Sequence, residues 1–175
     1  GAKLKTTLVF HGMQGAGKNL FFDVVASLYG EYGGTVDQLA VESQFNDWAS
    51  RKLFLVFDEV VARNELYFLK NRIKSLITGD TIRINPKNLS AWTERNHCNG
   101  VWLSNELHPT AVELFDRRHF IIWTPPVLSQ ECYREVAACI ANGGREALHD
   151  YLLNLDLGDF DEHTKPPMTQ AKADL

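Results

Sequence analysis

Gly12-Met13-Gln14-Gly15-Ala16-Gly17-Lys18 is the stretch on which the fold turns. It follows the apolar, partly β-branched run Thr7-Leu8-Val9-Phe10 and precedes Leu20-Phe21-Phe22, which continues apolar through Val24-Val25. A glycine-rich loop between a strand and a helix at this spacing is a Walker A loop. The glycines let the backbone curl so that successive N–H groups face one point, and the following helix adds its unpaired N–H groups and its dipole. Lys18 then reaches the β- and γ-phosphates as a point charge. The expected ligands are ATP and Mg2+, with Gly12, Gln14, Gly15, Ala16, Gly17, Lys18, Asn19 and Leu20 as the nucleotide-binding residues. Asn19 stands where the pattern has Ser or Thr, whose hydroxyl helps hold magnesium. An amide oxygen still accepts from a metal-bound water, so altered metal handling is expected rather than loss of the site. The competing reading, a Gly-rich turn without a ligand, is disfavoured by the strand before and the helix after.

Outward from the loop, residues 3–10 read as a strand and 19–28 as a helix, with Leu20, Val24 and Leu28 on one face. Gly30, Gly33 and Gly34 close it. A short strand is expected at 35–39, and Ser43 looks like the cap of a short helix carrying Phe45 and Trp48. Leu53-Phe54-Leu55-Val56-Phe57 has no polar alternation, which predicts a strand buried on both faces and hence a parallel sheet with helices on both sides. Asp58-Glu59 sits at its carboxyl end, where open α/β sheets bind ligands. This has the form of a Walker B segment: Asp58 would hold magnesium through water and Glu59 would orient or activate the attacking water. Gly100-Val101-Trp102-Leu103-Ser104 is a second short buried strand, ending at Asn105-Glu106, and Asn105 is placed to sense a γ-phosphate or orient the water.

Between these, residues 65–77 repeat apolar residues at helical spacing and Gly79-Asp80 stops them. Thr81-Ile82-Arg83-Ile84-Asn85 alternates as a half-exposed strand, Pro86-Lys87-Asn88 turns the chain, and 89–92 returns. From Arg63 to Arg95 seven basic residues stand against three acids, about +4 in a chain whose formal net charge is −4. Arg83 and the hairpin-tip Lys87 are the nucleic-acid candidates, because phosphate contacts want exposed lysines and arginines. His108-Pro109 starts a helical turn through Phe115, Asp116-Arg117-Arg118 follows, and Phe120-Ile121-Ile122-Trp123 is an apolar strand ended by Pro125-Pro126. Helices are expected at 131–140 and 145–153. The acidic, Pro-containing end reads as a tail or linker.

With 175 residues the chain can bury a real core, and 45% hydrophobic residues is ordinary for a globular domain. Cys98, Cys132 and Cys139 form neither a disulfide scaffold nor a short-spaced metal pair, which fits a reducing compartment. No signal peptide and no 18-residue apolar run is present, so no membrane association is expected. Gly1-Ala2 looks like a cloning scar, implying a longer parent chain. The organisation expected is a P-loop core at 1–126, a helical segment at 127–157 and a tail or linker at 158–175.

The order of these motifs resembles the ATPase domain of superfamily 3 helicases, most closely the phage and plasmid primase-helicase type. Walker A falls on residues 12–19, Walker B on Asp58 and Glu59, the strand-ending asparagine of motif C on Asn105, and the helix-plus-basic-hairpin region on 73–87. The Asp-Arg pair before the last core strand falls on Asp116-Arg117, and Leu157-Gly158-Asp159-Phe160-Asp161 through Pro167-Met168-Thr169 resembles the end of the domain. The resemblance implies an α/β P-loop NTPase of AAA+ type: a central, mostly parallel sheet flanked by helices, an inserted basic β-hairpin and a small C-terminal helical segment. It implies a hexameric ring that hydrolyses ATP while moving along single-stranded DNA, with Lys87 gripping the strand. Arg117 is then the finger acting on a neighbour's ATP, and Arg118 is structural. Lys18, Asp58, Glu59, Asn105 and Arg117 would be the catalytic set, with Asn19 and Asp58 toward the metal. An upstream primase or collar domain, and a bacterial cytoplasm reached through a phage, prophage or plasmid, also follow from the resemblance. The alternatives are a nucleotide-binding origin scaffold without processive unwinding, which Asn19 favours, and another P-loop enzyme such as a small-molecule kinase, which would leave the basic hairpin without a purpose.

Overall fold

The computed structural model describes residues 2–60, 67–106 and 117–174, with backbone alone at 67–70. In chain order the described elements are β1 (Thr7–His11), α1 (Lys18–Ser27), β2 (Gly33–Val36), α2 (Gln38–Glu42), β3 (Phe54–Asp58), α3 (Tyr67–Thr78), β4 (Thr81–Ile84), β5 (Trp92–Arg95), β6 (Asn99–Ser104), β7 (His119–Trp123), α4 (Gln130–Cys139), α5 (Arg145–Leu153) and α6 (Gln170–Ala173).

Five strands form one sheet in the order β2-β3-β6-β1-β7, and every neighbouring pair is parallel. The run at 53–57 therefore behaves as its composition demands: Phe54, Leu55, Val56 and Phe57 are all buried, alternating between two apolar layers. One layer joins Val9, Leu55, Phe57, Trp102 and Ile121 to Leu76 of α3, Val41 of α2 and Val36. Its centre is Phe57 stacked on Trp102 with ring centroids 4.0 Å apart. The other layer packs Phe54, Val56, Val101 and Leu103 against Phe22 and Ala26 of α1. A central parallel sheet flanked by helices, as the sequence predicts, is thus the architecture.

β4 and β5 pair antiparallel as a separate hairpin. Its return strand begins at Trp92 rather than at 89, because the bend is wider than a tight turn: Asn88 takes a left-handed φ of 62°. Both strands are bolted to the body. Asn46, 7% exposed, donates from Nδ2 to the Arg83 carbonyl (2.8 Å) and accepts from the Asn85 N–H (2.7 Å). Glu94 accepts from the Arg51 N–H (2.7 Å), the Ser50 hydroxyl (3.1 Å) and the Trp92 indole (2.8 Å).

One local expectation is corrected. Ser43 does not cap a helix carrying Phe45 and Trp48. Asp37 caps α2 instead, accepting from the Ala40 N–H at 2.8 Å. Ser43 ends that helix, and its hydroxyl accepts from the Phe45 N–H at 3.1 Å. The helices expected at 131–140 and 145–153 are present as α4 and α5, separated by a break at Asn142 and Gly143, whose φ of 90° interrupts the helical path. Residues 169–173 return to the body: the Thr169 hydroxyl donates to the Ile121 carbonyl (2.6 Å), Lys172 Nζ to the His119 carbonyl (2.9 Å), and Ala171 packs on the core. The turn expected at 108–115, Asp116, and the first residues of the helix expected from 65 lie outside the described residues.

At the amino end of the sheet, the Lys3 ammonium donates to the carbonyls of Leu76 (3.0 Å) and Cys98. Burial pulls its pKa down from 10.5 to about 8, against the opposing pull of Cys98. Burial pushes the Cys98 thiol up from 9.0 to about 12. An amine that loses affinity for its proton on folding makes stability rise with pH between the folded and unfolded values, here about 8 to 10.5. A thiol that holds its proton on folding makes stability fall as pH rises from 9.0 to about 12. The urea midpoint is therefore expected to climb from pH 8 to 9, level off, and fall above 10.5. Cys98→Ala should abolish the fall and Lys3→Met the climb. A profile that ignores both substitutions would refute the assignment.

Candidate nucleotide site

The parallel register brings three strand ends to one edge. Phe10 lies beside Leu103 and His11 beside Ser104, while Asp58 lies beside Leu103 from the other side. The loop after β1, Asn105 after β6 and Glu59 after β3 therefore converge at the carboxyl edge, where open α/β sheets bind ligands.

Gly12, Gly15 and Gly17 have φ of 143°, 83° and 83°, a backbone path that L side chains rarely follow. At Gly12 there is also no room, since a Cβ would sit 2.2 Å from Thr124 Oγ1. The curl folds the loop over Lys18, which is only 7% exposed. Its ammonium donates to the carbonyls of Gly12 and Met13 (both 3.0 Å) and to Asn105 Oδ1 (2.9 Å). An ammonium has three N–H donors, so all are engaged. Asn105 then donates from Nδ2 to Glu59 Oε1, completing a chain from lysine to carboxylate. Burial lowers the Lys18 pKa, and the Glu59 and Asp58 charges partly restore it.

Glu59 itself has a left-handed φ of 52°, uncommon for a residue with a side chain and costly enough to be concentrated at functional positions. Its N–H donates to the Leu103 carbonyl at 2.9 Å, which holds the turn. Asp58 is half-buried one residue earlier. A cavity of about 450 Å³ opens above this set. Gln14, Gly15, Ala16, Gly17, Lys18, Asn19, Leu20, Glu59 and Asn105 all line it. Its volume falls in the range of ordinary small-molecule sites.

Three candidates lie elsewhere. Arg83 and Lys87 are exposed on the hairpin. Arg117 is exposed two residues before β7, at the amino ends of the strands, where the Arg118 carbonyl accepts from the Thr7 N–H at 2.8 Å.

Tyr133, in the first turns of α4, is a site residue that the sequence reading missed. Its hydroxyl donates to the Gly15 carbonyl (2.9 Å) and accepts from the Leu128 N–H (3.1 Å), and it lines the cavity. A Cβ on Gly17 would meet its ring at 3.2 Å. Tyr133→Phe is expected to lower unfolding stability in urea by about 1 kcal/mol, the net worth of such bonds. An unchanged midpoint would remove the hydroxyl from this role.

Among the described residues no group of three or more His, Cys, Asp or Glu could hold a metal by itself, and no helix is long and apolar enough to cross a membrane.

A family model described as a family of unknown function, DUF5906, matches residues 10–118. The chain is 34% identical over 137 residues to a DNA primase-polymerase of Nitratiruptor phage NrS-1, covering 73% of this chain and 19% of the phage protein. Two apo structures of the NrS-1 C-terminal region superpose with TM-scores of 0.84 and 0.80 at 29% and 28% identity. Each covers 98% of this chain, which spans 42% and 41% of theirs. The chain is thus similar to a minor part of those longer proteins.

Proposed function

The chain belongs to the family of unknown function DUF5906, and we propose from its site that it is the ATP-hydrolysing motor of a DNA replication protein. The finer reading is a P-loop ATPase of AAA+ type akin to superfamily 3 helicases, coupling hydrolysis to movement along single-stranded DNA. The similarity to a phage DNA primase-polymerase supports the replication setting. One observation carries the ATPase reading: the buried Lys18 ammonium under a glycine curl, joined through Asn105 to Glu59.

Phosphoryl transfer asks the protein mainly for positioning and charge neutralisation. The loop N–H groups and Lys18 would cradle the phosphates. Because all three ammonium donors are engaged, an arriving phosphate oxygen must displace one acceptor. If that acceptor is Asn105, its Oδ1 is freed to hold a water while its Nδ2 still orients Glu59. Glu59 would draw the proton from that water. Asp58 and Asn19 are the residues suited to holding Mg2+, which supplies neutralisation of phosphate charge when bound. A half-buried carboxylate and an exposed amide beside the loop fit a hydrated ion. Arg117 would act on a neighbouring subunit's nucleotide, so turnover would need an assembly, hexameric in the reading offered. Lys87 and Arg83 would meet the strand.

The test is calorimetric titration of magnesium-ATP into the chain, followed by ATPase assays of the longer parent with and without single-stranded DNA. Micromolar binding and DNA-stimulated turnover are expected. A folded chain and a folded parent that both ignore ATP would overturn the proposal. Asn19 favours a second reading, a nucleotide-dependent replication scaffold that binds ATP without unwinding. An unwinding assay on the parent separates the two.

A further inference from the structure

A second cavity, about 410 Å³, lies at the opposite end of β3 from the nucleotide site and shares no lining residue with it. β3 is five residues long, so roughly 13 Å of strand separates the two. The side chains that give the second cavity its chemistry are Tyr32, Arg51, Lys52, Glu94, Arg95 and His97. Not all of their charge is available. Lys52 Nζ is committed to the carbonyls of Glu31 (2.6 Å) and Gly33 (3.1 Å). Glu94 accepts from the Arg51 N–H and the Ser50 hydroxyl, which mount the hairpin, and from Trp92 of its own strand, and against burial these bonds hold its carboxyl below the usual range. The guanidiniums of Arg51 and Arg95 are exposed, Arg51 within electrostatic reach of the Glu94 carboxylate and Arg95 of that of Asp80. Tyr32, 44% exposed, offers a ring beside them.

Hairpin register places the two hairpin arginines relative to this cavity. Arg95 lies opposite Thr81 and Arg83 opposite Thr93, so Arg83 and Arg95 are on one face of the ribbon. That face is the outer one, since Ile84 and Trp92 occupy the other and Ile84 is fully buried. Lys87 and Arg83 thus lie toward the tip of the hairpin and Arg95 at its root beside the cavity, whose Ile82 and Glu94 belong to the opposite face.

We infer that the root cavity is a single-stranded nucleic-acid subsite, with Arg51 and Arg95 holding backbone phosphate and Tyr32 stacking on a base. Guanidinium forks match phosphate oxygens, and an aromatic ring beside a cationic track is the recurring means of holding a single strand without sequence preference. The inference rests on the reading of the hairpin as a nucleic-acid contact and extends it from the tip to the root. It does not depend on ATP.

The experiment is fluorescence anisotropy of a labelled oligothymidylate across a salt series, without nucleotide. The variants are Arg51→Asn with Arg95→Gln, Lys87→Ala, and Tyr32→Leu. Asparagine is chosen because Arg51 has φ 57°, a conformation asparagine tolerates. Circular dichroism verifies that each variant is folded. The double variant is expected to bind about 10-fold more weakly, with a slope of log K against log salt shallower by about 1.4, from about 0.7 per lost phosphate contact. Tyr32→Leu should weaken binding of the oligothymidylate by about 10-fold but leave an abasic oligomer of equal length unaffected. A weakened double variant beside an unaffected Lys87→Ala would support the root and sink the tip. An unchanged affinity and slope in the double variant would overturn the subsite, as would no binding by the unsubstituted chain at low salt. A failure of ATP binding touches neither result.

Discussion

Lys18→Ala is expected to bind magnesium-ATP at least 100-fold more weakly than the unsubstituted chain. A point charge beside phosphates in a partly dehydrated cleft is worth several kcal/mol, and about 1.4 kcal/mol is already tenfold. The geometry adds to that figure. With Lys18 gone, the Gly12 and Met13 carbonyls lose their shared donor. The loop would then relax from the curl that presents its N–H groups. Part of the lost affinity is therefore loss of shape rather than of charge. Lys18→Met separates the two, because it retains much of the stem and removes the charge. If methionine binds as weakly as alanine, charge dominates. Since burial lowers the pKa of Lys18, affinity should also decline as pH rises toward that lowered value, and the decline should vanish in Lys18→Met. Wild-type affinity in Lys18→Ala would remove the loop from nucleotide binding altogether.

The geometry of that candidate site was readable in the sequence because its information is local. Seven residues fix the loop, five consecutive apolar residues fix a strand buried on both faces, and the acids that follow fall at the ligand-binding edge. Strand order is not local. Nothing in the string says that β6 lies between β3 and β1, which brings Asn105 between Lys18 and Glu59. Nor does it say that β7 flanks β1, so that the chain leaving β7 passes over the loop with Thr124 beside Gly12 and Tyr133 on Gly15. Tyr133 read only as one residue of the helix expected at 131–140 for this reason. The error at Ser43 has a different origin: Asp37 followed a β-branched pair and was absorbed into an expected strand, although its carboxylate was the better cap. In the acidic tail, composition suggested a linker, but composition does not register that Thr169 can reach the Ile121 carbonyl and that Ala171 is small enough to pack beneath it.

Arg117→Ala should lower the ATPase rate of the assembled parent protein by roughly 10³-fold or more while leaving ATP affinity unchanged, the loss expected for an arginine finger supplied from outside the site. On the proposed reading, the fold explains why a finger at this position would come from outside. Arg117 precedes β7 at the amino ends of the strands, whereas Lys18 follows β1 at the carboxyl ends. β1 and β7 run parallel over five residues, so at least ~13 Å of strand separates the two positions, before the loops are added. An arginine side chain is shorter than that, and Arg117 cannot serve its own Lys18. Side by side in a ring, however, one chain's amino-end rim can face the next chain's carboxyl-end cleft. Two measurements follow. The rate per chain should rise with protein concentration. Mixing Lys18→Ala chains with Arg117→Ala chains, each inactive alone, should restore activity, because some interfaces then join an intact lysine to an intact arginine. A monomer turning over at a constant rate at all concentrations would overturn the trans arrangement, and so would an Arg117→Ala protein of normal rate. If Arg118→Ala alone abolished turnover and complemented Lys18→Ala, the finger would move by one residue and the geometric argument would survive intact, since both arginines sit at the same end of the sheet.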